Sequence, residues 1–277
     1  DWTLESAGVY GGDLKSLDIH MHTMEAYTTL YEATHKEVHK RALQEIIDIV
    51  LEHMVDYDFW CGRNQFSIDF TPKPAISIRR TWNYDRDPES ANKNPLDTTS
   101  YGHNIELIWL LNRAYEVLGL PPAREFTRKF ADYTLANGWD NIHGGIYRDG
   151  MHDGRIVVTD KEWWQNFESL TGFLDSYQAT EDERYLDTFI KLWEFDKKYF
   201  YNPEVGESRQ LLLADGTPVI DDTVEMYLSY RPCYDGVLSE DRITDGIMSA
   251  QSQSIFERKQ IWEKRRQRCL WGKNWSE

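Results

Sequence analysis

The chain has 277 residues with 31 basic and 47 acidic side chains, giving a net charge of −16, and is 40% hydrophobic and 14% aromatic. That is ample apolar material for a core, in one large domain or two small ones. The negative balance argues against a nucleic-acid partner, and no apolar run approaches the roughly 18 residues of a membrane span.

The opening stretch, Asp1 to Ser6, shows neither a basic n-region nor an apolar h-region. Further on, Asp18-Ile19-His20-Met21-His22-Thr23-Met24-Glu25-Ala26-Tyr27, read as a helix, makes Asp18 and His22 i,i+4 neighbours. Leu43, Ile46, Ile47, Val50 and Met54 recur at helical spacing. Asn83 to Pro95 is polar and reads as a surface loop. A second periodic run, Ile105, Ile108, Leu111, Tyr115 and Leu118, has a start signal in Asp97-Thr98-Thr99-Ser100 and a stop in Gly119 with Pro121-Pro122. Further helices are predicted from Pro122 to about Asn137, from an N-cap at Asp160 to Tyr177, and from about Asp182 to Tyr199. Gly144 to Arg148 and Gln210 to Gly216 read as short strands with turns. The short joints favour antiparallel helical hairpins, so the pattern is a toroid of hairpins separated by small ribbons, with inner helices converging on one mouth.

Four groups of residues could carry chemistry. They are the Asp18–Tyr27 helix, the run Ser100-Tyr101-Gly102-His103-Asn104-Ile105-Glu106 with Trp109, the run Lys161 to Glu168 with Trp164 and Glu168 on one face, and the aromatic surplus itself. Rings beside carboxylates suit a sugar, since rings stack on its C–H faces and acids bind its hydroxyls. Each group also has a plainer reading: a solvated His-x-His pair, an i,i+3 surface pair in His103 and Glu106, and a core filled by two adjacent tryptophans. His20, His22, His103 and Glu106 are metal-ligand types, but the two rings of His-x-His on a helix point about 200° apart, and no metal site is expected.

Taken together and in order, these segments resemble the cellobiose 2-epimerase branch of the N-acylglucosamine 2-epimerase family. Asp18-x-His20-x-His22-x-x-Glu25-Ala26-Tyr27 is similar to that family's Asn-x-His-x-His helix. Ser100 to Glu106, followed by Trp109-Leu110-Leu111, is similar to its Ser-Tyr-Gly-His-Asp-Ile-Glu signature. Gly144-Gly145, Asp160-Lys161-x-Trp163-Trp164, Glu168 and Gly172-Phe173-Leu174 extend the match, which covers about residues 14 to 220. The resemblance implies an all-α (α/α)6 barrel, here incomplete, with short β-ribbons in the inter-hairpin loops. It also implies inversion at C2 of the reducing sugar of a β-1,4-linked disaccharide, through ring opening, proton abstraction and an enediolate, without metal or organic cofactor. Carried over, His103 is one of two acid/base histidines, Glu106 orients it, and His22 assists ring opening. Asp18, Tyr101, Trp109, Trp164 and Glu168 bind substrate.

The chain departs from the pattern in four places. Asp18 stands where the family has Asn, and Asn104 where it has Asp, so altered hydrogen bonding is expected rather than a lost fold. The family's first hairpins, with a substrate-binding Arg, would precede Asp1. Its closing Trp-Lys-x-x-Tyr-His-x-x-Arg motif, with the second acid/base His, is missing, and no His follows His152. One permitted coding of residues 224–235, read from its second base, yields Trp-Lys-Cys-Thr-Tyr-His-Thr-Gly-Arg. Residues 1–220 are therefore read as a partial epimerase domain and 221–277 as a divergent, frame-shifted tail. Residues 252–277 carry seven basic and three acidic side chains. The alternative is a genuine amphipathic helix packing Ile255, Phe256, Ile261 and Trp262. Three widely spaced cysteines, Cys61, Cys233 and Cys269, fit a reducing compartment, and a cytoplasmic location is expected. The other functions weighed are an aldose–ketose isomerase of the same family, a glycoside hydrolase using Glu106 and Glu168 as its paired carboxylates, and a truncated inactive relative.

Overall fold

The computed structural model describes residues 14–74, 96–202 and 207–219. The loop expected at 83–95, the 221–277 tail and the stretch with a second reading frame lie outside the described residues. Within them are six helices: α1 (Leu17–Thr34), α2 (Glu37–His53), α3 (Tyr101–Val117), α4 (Arg124–Asn137), α5 (Trp163–Thr180) and α6 (Glu183–Tyr199).

The helices pair as antiparallel hairpins, α1 with α2, α3 with α4 and α5 with α6, and α3 packs on both α1 and α5. Composition separates the two layers. The outer helices are amphipathic, α2 burying Leu43, Ile46, Ile47 and Val50 and α6 burying Tyr185, Leu186, Phe189, Leu192 and Phe195, the single stripe of a helix with one wet face. Inner α3 and α5 bury residues around most of their circumference, including Asn104, Glu106, Asn112, Gln165, Asn166 and Glu168. Buried polar groups need partners: Asn112 ties α3 to Ala123 and Thr127 at the α3–α4 turn, and Gln165 fastens the first turns of α3 and α5.

The hairpin turns follow from local chemistry. His35 and Glu181 sit in the left-handed region (φ 51° and 59°), and their backbone N–H groups donate to Tyr31 O and Tyr177 O, closing α1 and α5. Asp182 then caps α6 by accepting from Arg184 N at 3.0 Å.

Each inner helix is entered from a ribbon strand: β1 (Leu14–Ser16) leads into α1, β5 (Thr98–Ser100) into α3 and β8 (Lys161–Glu162) into α5. β1 pairs with β4 (Gln65–Ser67), and β2 (Val55–Asp56) with β3 (Cys61–Gly62). β5, β6 (Asp149–Met151) and β7 (Ile156–Val158) form a three-stranded sheet, and β8 pairs with β11 (Leu211–Leu212). β9 (Tyr201–Asn202) pairs with β10 (Glu207–Ser208), and every pairing is antiparallel.

Three sequence expectations are corrected. Asp160 does not cap α5, because Lys161 and Glu162 are taken by the ladder with β11 and Glu162 becomes the N-cap. Gly144 to Arg148 is not a strand, because Gly144 and Gly145 turn at φ 84° and 81° and the ribbon begins at Asp149. The helix expected from Pro122 begins at Arg124.

The contact between α3 and α5 depends on Gly172. A Cβ there would lie 2.5 Å from the carbonyl oxygen of Ile105 and would overlap its Cγ2. Gly172→Ala is expected to cost about 2 kcal/mol, overpacking outweighing the gain in helix propensity. At Gly119 (φ 74°), where nothing lies within 4 Å, the same change meets only backbone strain of about 1 kcal/mol. Urea midpoints for the two variants check this; equal losses would place the α3–α5 contact elsewhere.

In α6, Asp196 is 1% exposed and neither carboxylate oxygen has a partner among the described residues. Burial pushes its pKa well above the ordinary 3.8. The unfolded chain releases this proton first, so Asp196 increasingly opposes folding as pH rises above about 3.8. Asp196→Asn is expected to stabilise by about 1–2 kcal/mol at pH 8, with the gain shrinking toward pH 4. Thermal melts at the two pH values test the sign.

Candidate active site

The Ser-Tyr-Gly-His run shows how this sequence builds a site. Ser100 caps α3, its Oγ accepting from the backbone N–H of His103 at 3.4 Å. Tyr101 turns into the core. Gly102 lies where a Cβ would come within 2.5 Å of Gln165 Cγ, so the first turns of α3 and α5 nearly touch. Gln165 fastens them, its Nε2 donating to Ser100 Oγ (3.0 Å) and to Arg148 O (3.3 Å). His103 follows on the mouth side, part-buried, with its ring centroid 4.7 Å from that of Trp164 and the planes inclined by 40°.

The helices bring most of the expected site residues together. His22, in the second turn of α1, has Nδ1 3.0 Å from Glu25 Oε2 and Nε2 3.5 Å from Glu106 Oε1. Trp109 Nε1 on α3 donates to Glu168 Oε2 on α5 at 3.0 Å. Trp164 Nε1 donates to Glu162 Oε2 at 2.6 Å. Asp18 is part-buried on the same helix as His22, close enough for its charge to favour protonation of His22, His103 and Glu106.

Two positions differ from the sequence reading. Glu106 makes no ion pair or hydrogen bond with His103 among the described residues; its close partner is His22 across the α1–α3 contact. Tyr101 has no exposed surface, its ring facing Tyr133 and filling the space above Gly138 and Gly150. It therefore sits in the core beside the site.

Other residues sort as cleanly. Trp163 packs on the Phe195–Phe200–Leu212 cluster, whereas Trp164 is part-buried against the His103 ring, so the two adjacent tryptophans do not both fill the core. His20 points away, hydrogen-bonded to Ser16 O (2.8 Å) and edge-on to Phe70. Asn104 is buried, accepting from Gly62 N (2.7 Å) and donating to Thr99 Oγ1 (3.0 Å), a joint that holds the β3 loop to α3. Among the described residues, no group of three or more His, Cys, Asp or Glu side chains could hold a metal ion, and no helix is long and apolar enough to cross a membrane.

The protonation pattern is divided. Burial lowers the His103 pKa to about 4, with His22 and Arg148 lowering it further and Asp18 opposing, so its ring is neutral at pH 7. The hydrogen bond to Glu25 raises His22 above the ordinary 6.5, against partial burial. Burial, reinforced by the charges of Glu168, Glu25 and Asp18, pushes Glu106 well above the usual carboxylate range. Glu106 is 2% exposed and its Oε2 has no hydrogen-bond partner among the described residues. A neutral imidazole, an imidazole raised above its ordinary value and a carboxyl raised well above its own thus lie together, the kind of separation found where acid and base roles are divided.

The sequence reading missed Arg148 and Glu162. Arg148 Nε lies 3.0 Å from Asp149 Oδ2 and 3.6 Å from Glu162 Oε1. The available signal was an Arg-Asp step ahead of a Lys-Glu step, in segments otherwise read as a short strand and as the first turn of a helix.

Known proteins resemble this chain in sequence and in fold. Residues 12–227 match the family model described as N-acylglucosamine 2-epimerase (GlcNAc 2-epimerase). A cellobiose 2-epimerase of Ruminococcus albus is 27% identical over 239 residues, which are 84% of this chain and 54% of that protein. The solved cellobiose 2-epimerase of Bacillus thermoamylovorans superposes with a TM-score of 0.59 at 25% identity, over 74% of this chain and 47% of that one. A D-mannose isomerase structure gives 0.61 at 20% identity, over 77% and 52%, a likeness of fold. The chain spans about half the length of the curated relatives it matches, and its three described hairpins are half of the six in an (α/α)6 barrel. By fold, motifs and the extent of the match, the chain belongs to the N-acylglucosamine 2-epimerase family.

Proposed function

We propose that this chain carries the proton-abstracting side of a disaccharide 2-epimerase site, acting on the reducing-end sugar of a β-1,4-linked, cellobiose-like substrate. The observation that supports it best is the divided protonation of His103 and His22 beside Glu106. A sugar C2–H is a weak acid until the ring opens and C1 becomes a carbonyl. His22, protonated and exposed, donates to the ring oxygen as the hemiacetal opens and takes the O1 hydroxyl proton in return, so C1 becomes a carbonyl and the imidazole is again a donor. Neutral His103 then takes the C2 proton. The resulting enediolate oxygen is met by the proton donors of His22 and Glu106, whose stabilisation counts where charge develops. Trp109 and Trp164 have their indole N–H groups bound to Glu168 and Glu162, which leaves their ring faces for sugar. Inversion needs a second proton donor on the opposite face of the enediolate, where the resemblance calls for a second histidine.

Proton NMR of the products from cellobiose tests this reading. In deuterated water, cellobiose that has exchanged its reducing-end C2 proton is the expected result, with a reducing-end mannose unit wherever a donor on the opposite face returns the proton. A fructose unit would instead mean proton return to C1, and free glucose would mean hydrolysis with Glu106 and Glu168 as its carboxylates.

A further inference from the structure

We infer that Glu162 is a positioning residue: from the N-cap of α5 it clamps the indole of Trp164, and through that ring it fixes the His103 imidazole and shields it from water. The inference concerns the free chain and does not depend on sugar turnover.

The geometry carries it in three steps. First, Glu162 is itself immobile. It is 4% exposed, its backbone pairs with Leu211 in the β8–β11 ladder, and its carbonyl accepts from Asn166 Nδ2 at 2.9 Å. The preceding Lys161 is tied to Asp140 at 2.7 Å. Second, an indole N–H can only donate, and a carboxylate is its strongest acceptor because the bond is charge-assisted. The 2.6 Å contact from Trp164 Nε1 to Glu162 Oε2 is such a bond, and Arg148, 3.6 Å from Oε1, balances the charge. Third, the clamped ring lies 4.7 Å from the His103 ring. His103 has no side-chain hydrogen bond to hold it among the described residues, so ring contact is its main restraint. Its charged surroundings are Asp18 and His22 from α1 and Arg148 from the loop before β6.

Titration of the His103 imidazole by NMR, assigned with His103→Gln, tests the clamp. In the wild-type chain the midpoint is expected at about 4. Glu162→Ala frees Trp164, admits water and should move the midpoint up toward the ordinary imidazole value. Glu162→Gln keeps an acceptor oxygen and should hold the midpoint near the wild-type position. Trp164→Phe removes the donor from the other side and should raise the midpoint as Glu162→Ala does, which supplies the test if the alanine variant does not fold. The double variant should add nothing to either single change. A midpoint unmoved by Trp164→Phe or by a folded Glu162→Ala, or one moved as far by Glu162→Gln as by Glu162→Ala, would overturn the inference.

Discussion

Lys161→Met is expected to destabilise the fold by about 3–5 kcal/mol at pH 7, the usual consequence of removing one partner from a buried ion pair. The Lys161 side chain has no exposed surface. Its Nζ donates to Asp140 Oδ2 at 2.7 Å and to the carbonyl of Ala214, and it lies between the rings of Tyr147 and Phe195. Burial pulls its pKa down and Asp140 opposes that pull. On the other side, burial raises Asp140, but Lys161 and the backbone N–H groups of Ile142 and His143 more than offset it, leaving about 2. A carboxylate held below its unfolded value stabilises above that value, and the contribution is lost as pH falls from about 4 to 2. The wild-type chain should therefore lose stability across that window, and Lys161→Met should lose less. Adding Asp140→Asn to Lys161→Met is expected to recover part of the loss, because the amide oxygen still accepts from Ile142 and His143 (2.9 and 3.1 Å) without a stranded charge. Urea unfolding at pH 7 and pH 3 measures all three chains. A loss under 1 kcal/mol in the single variant would mean that water or a rearranged partner replaces the ammonium. The pair matters to the mouth because Lys161 fixes the strand that carries Glu162 and leads directly into Trp164 on α5.

His103→Ala is expected to reduce C2 proton transfer by about 10²–10⁴-fold, the range attributed to a positioned general base, with an unchanged circular dichroism spectrum. The pH dependence should be a bell. The proposed reaction needs neutral His103, so activity should fall as pH drops through about 4. It also needs protonated His22, so activity should fall again as pH rises past a value above 6.5. Glu25→Gln removes the largest cause of the raised His22 pKa and should move only the alkaline limb, to lower pH. Movement of the acid limb in that variant would mean the two roles are exchanged.

Much of the architecture is legible in the residues, for reasons that can be named. The outer helices display one apolar stripe, and their ends carry strong signals in Asp182, Gly138 and Pro121-Pro122. Inner helices are harder, since a helix buried on several sides loses its stripe; α3 and α5 stand out instead through dense motifs. The start of α5 is not legible because the ladder that claims Lys161 and Glu162 comes from Leu211 and Leu212, about fifty residues away. At Gly144 and Gly145 an apparent strand gives way to two left-handed turns that only glycine adopts readily. Within the site, spacing along one helix placed His103, Glu106 and Trp109 on a common stripe. It could not show that Glu106 meets His22, Trp109 meets Glu168, or Tyr101 turns inward. Those contacts depend on how closely neighbouring helices approach, which Gly102 and Gly172 set, and no intrahelical period encodes that distance.

The central claim, that the mouth of this half-barrel abstracts the C2 proton of a reducing-end sugar, is tested most directly by proton NMR of cellobiose incubated with the chain in deuterated water. The reducing-end C2 proton signal is expected to decay with the wild-type chain and to persist with His103→Ala. A C2 proton that persists with the wild-type chain at every concentration, while cellobiose still perturbs tryptophan fluorescence, would contradict it and leave a sugar-binding relative without the chemistry.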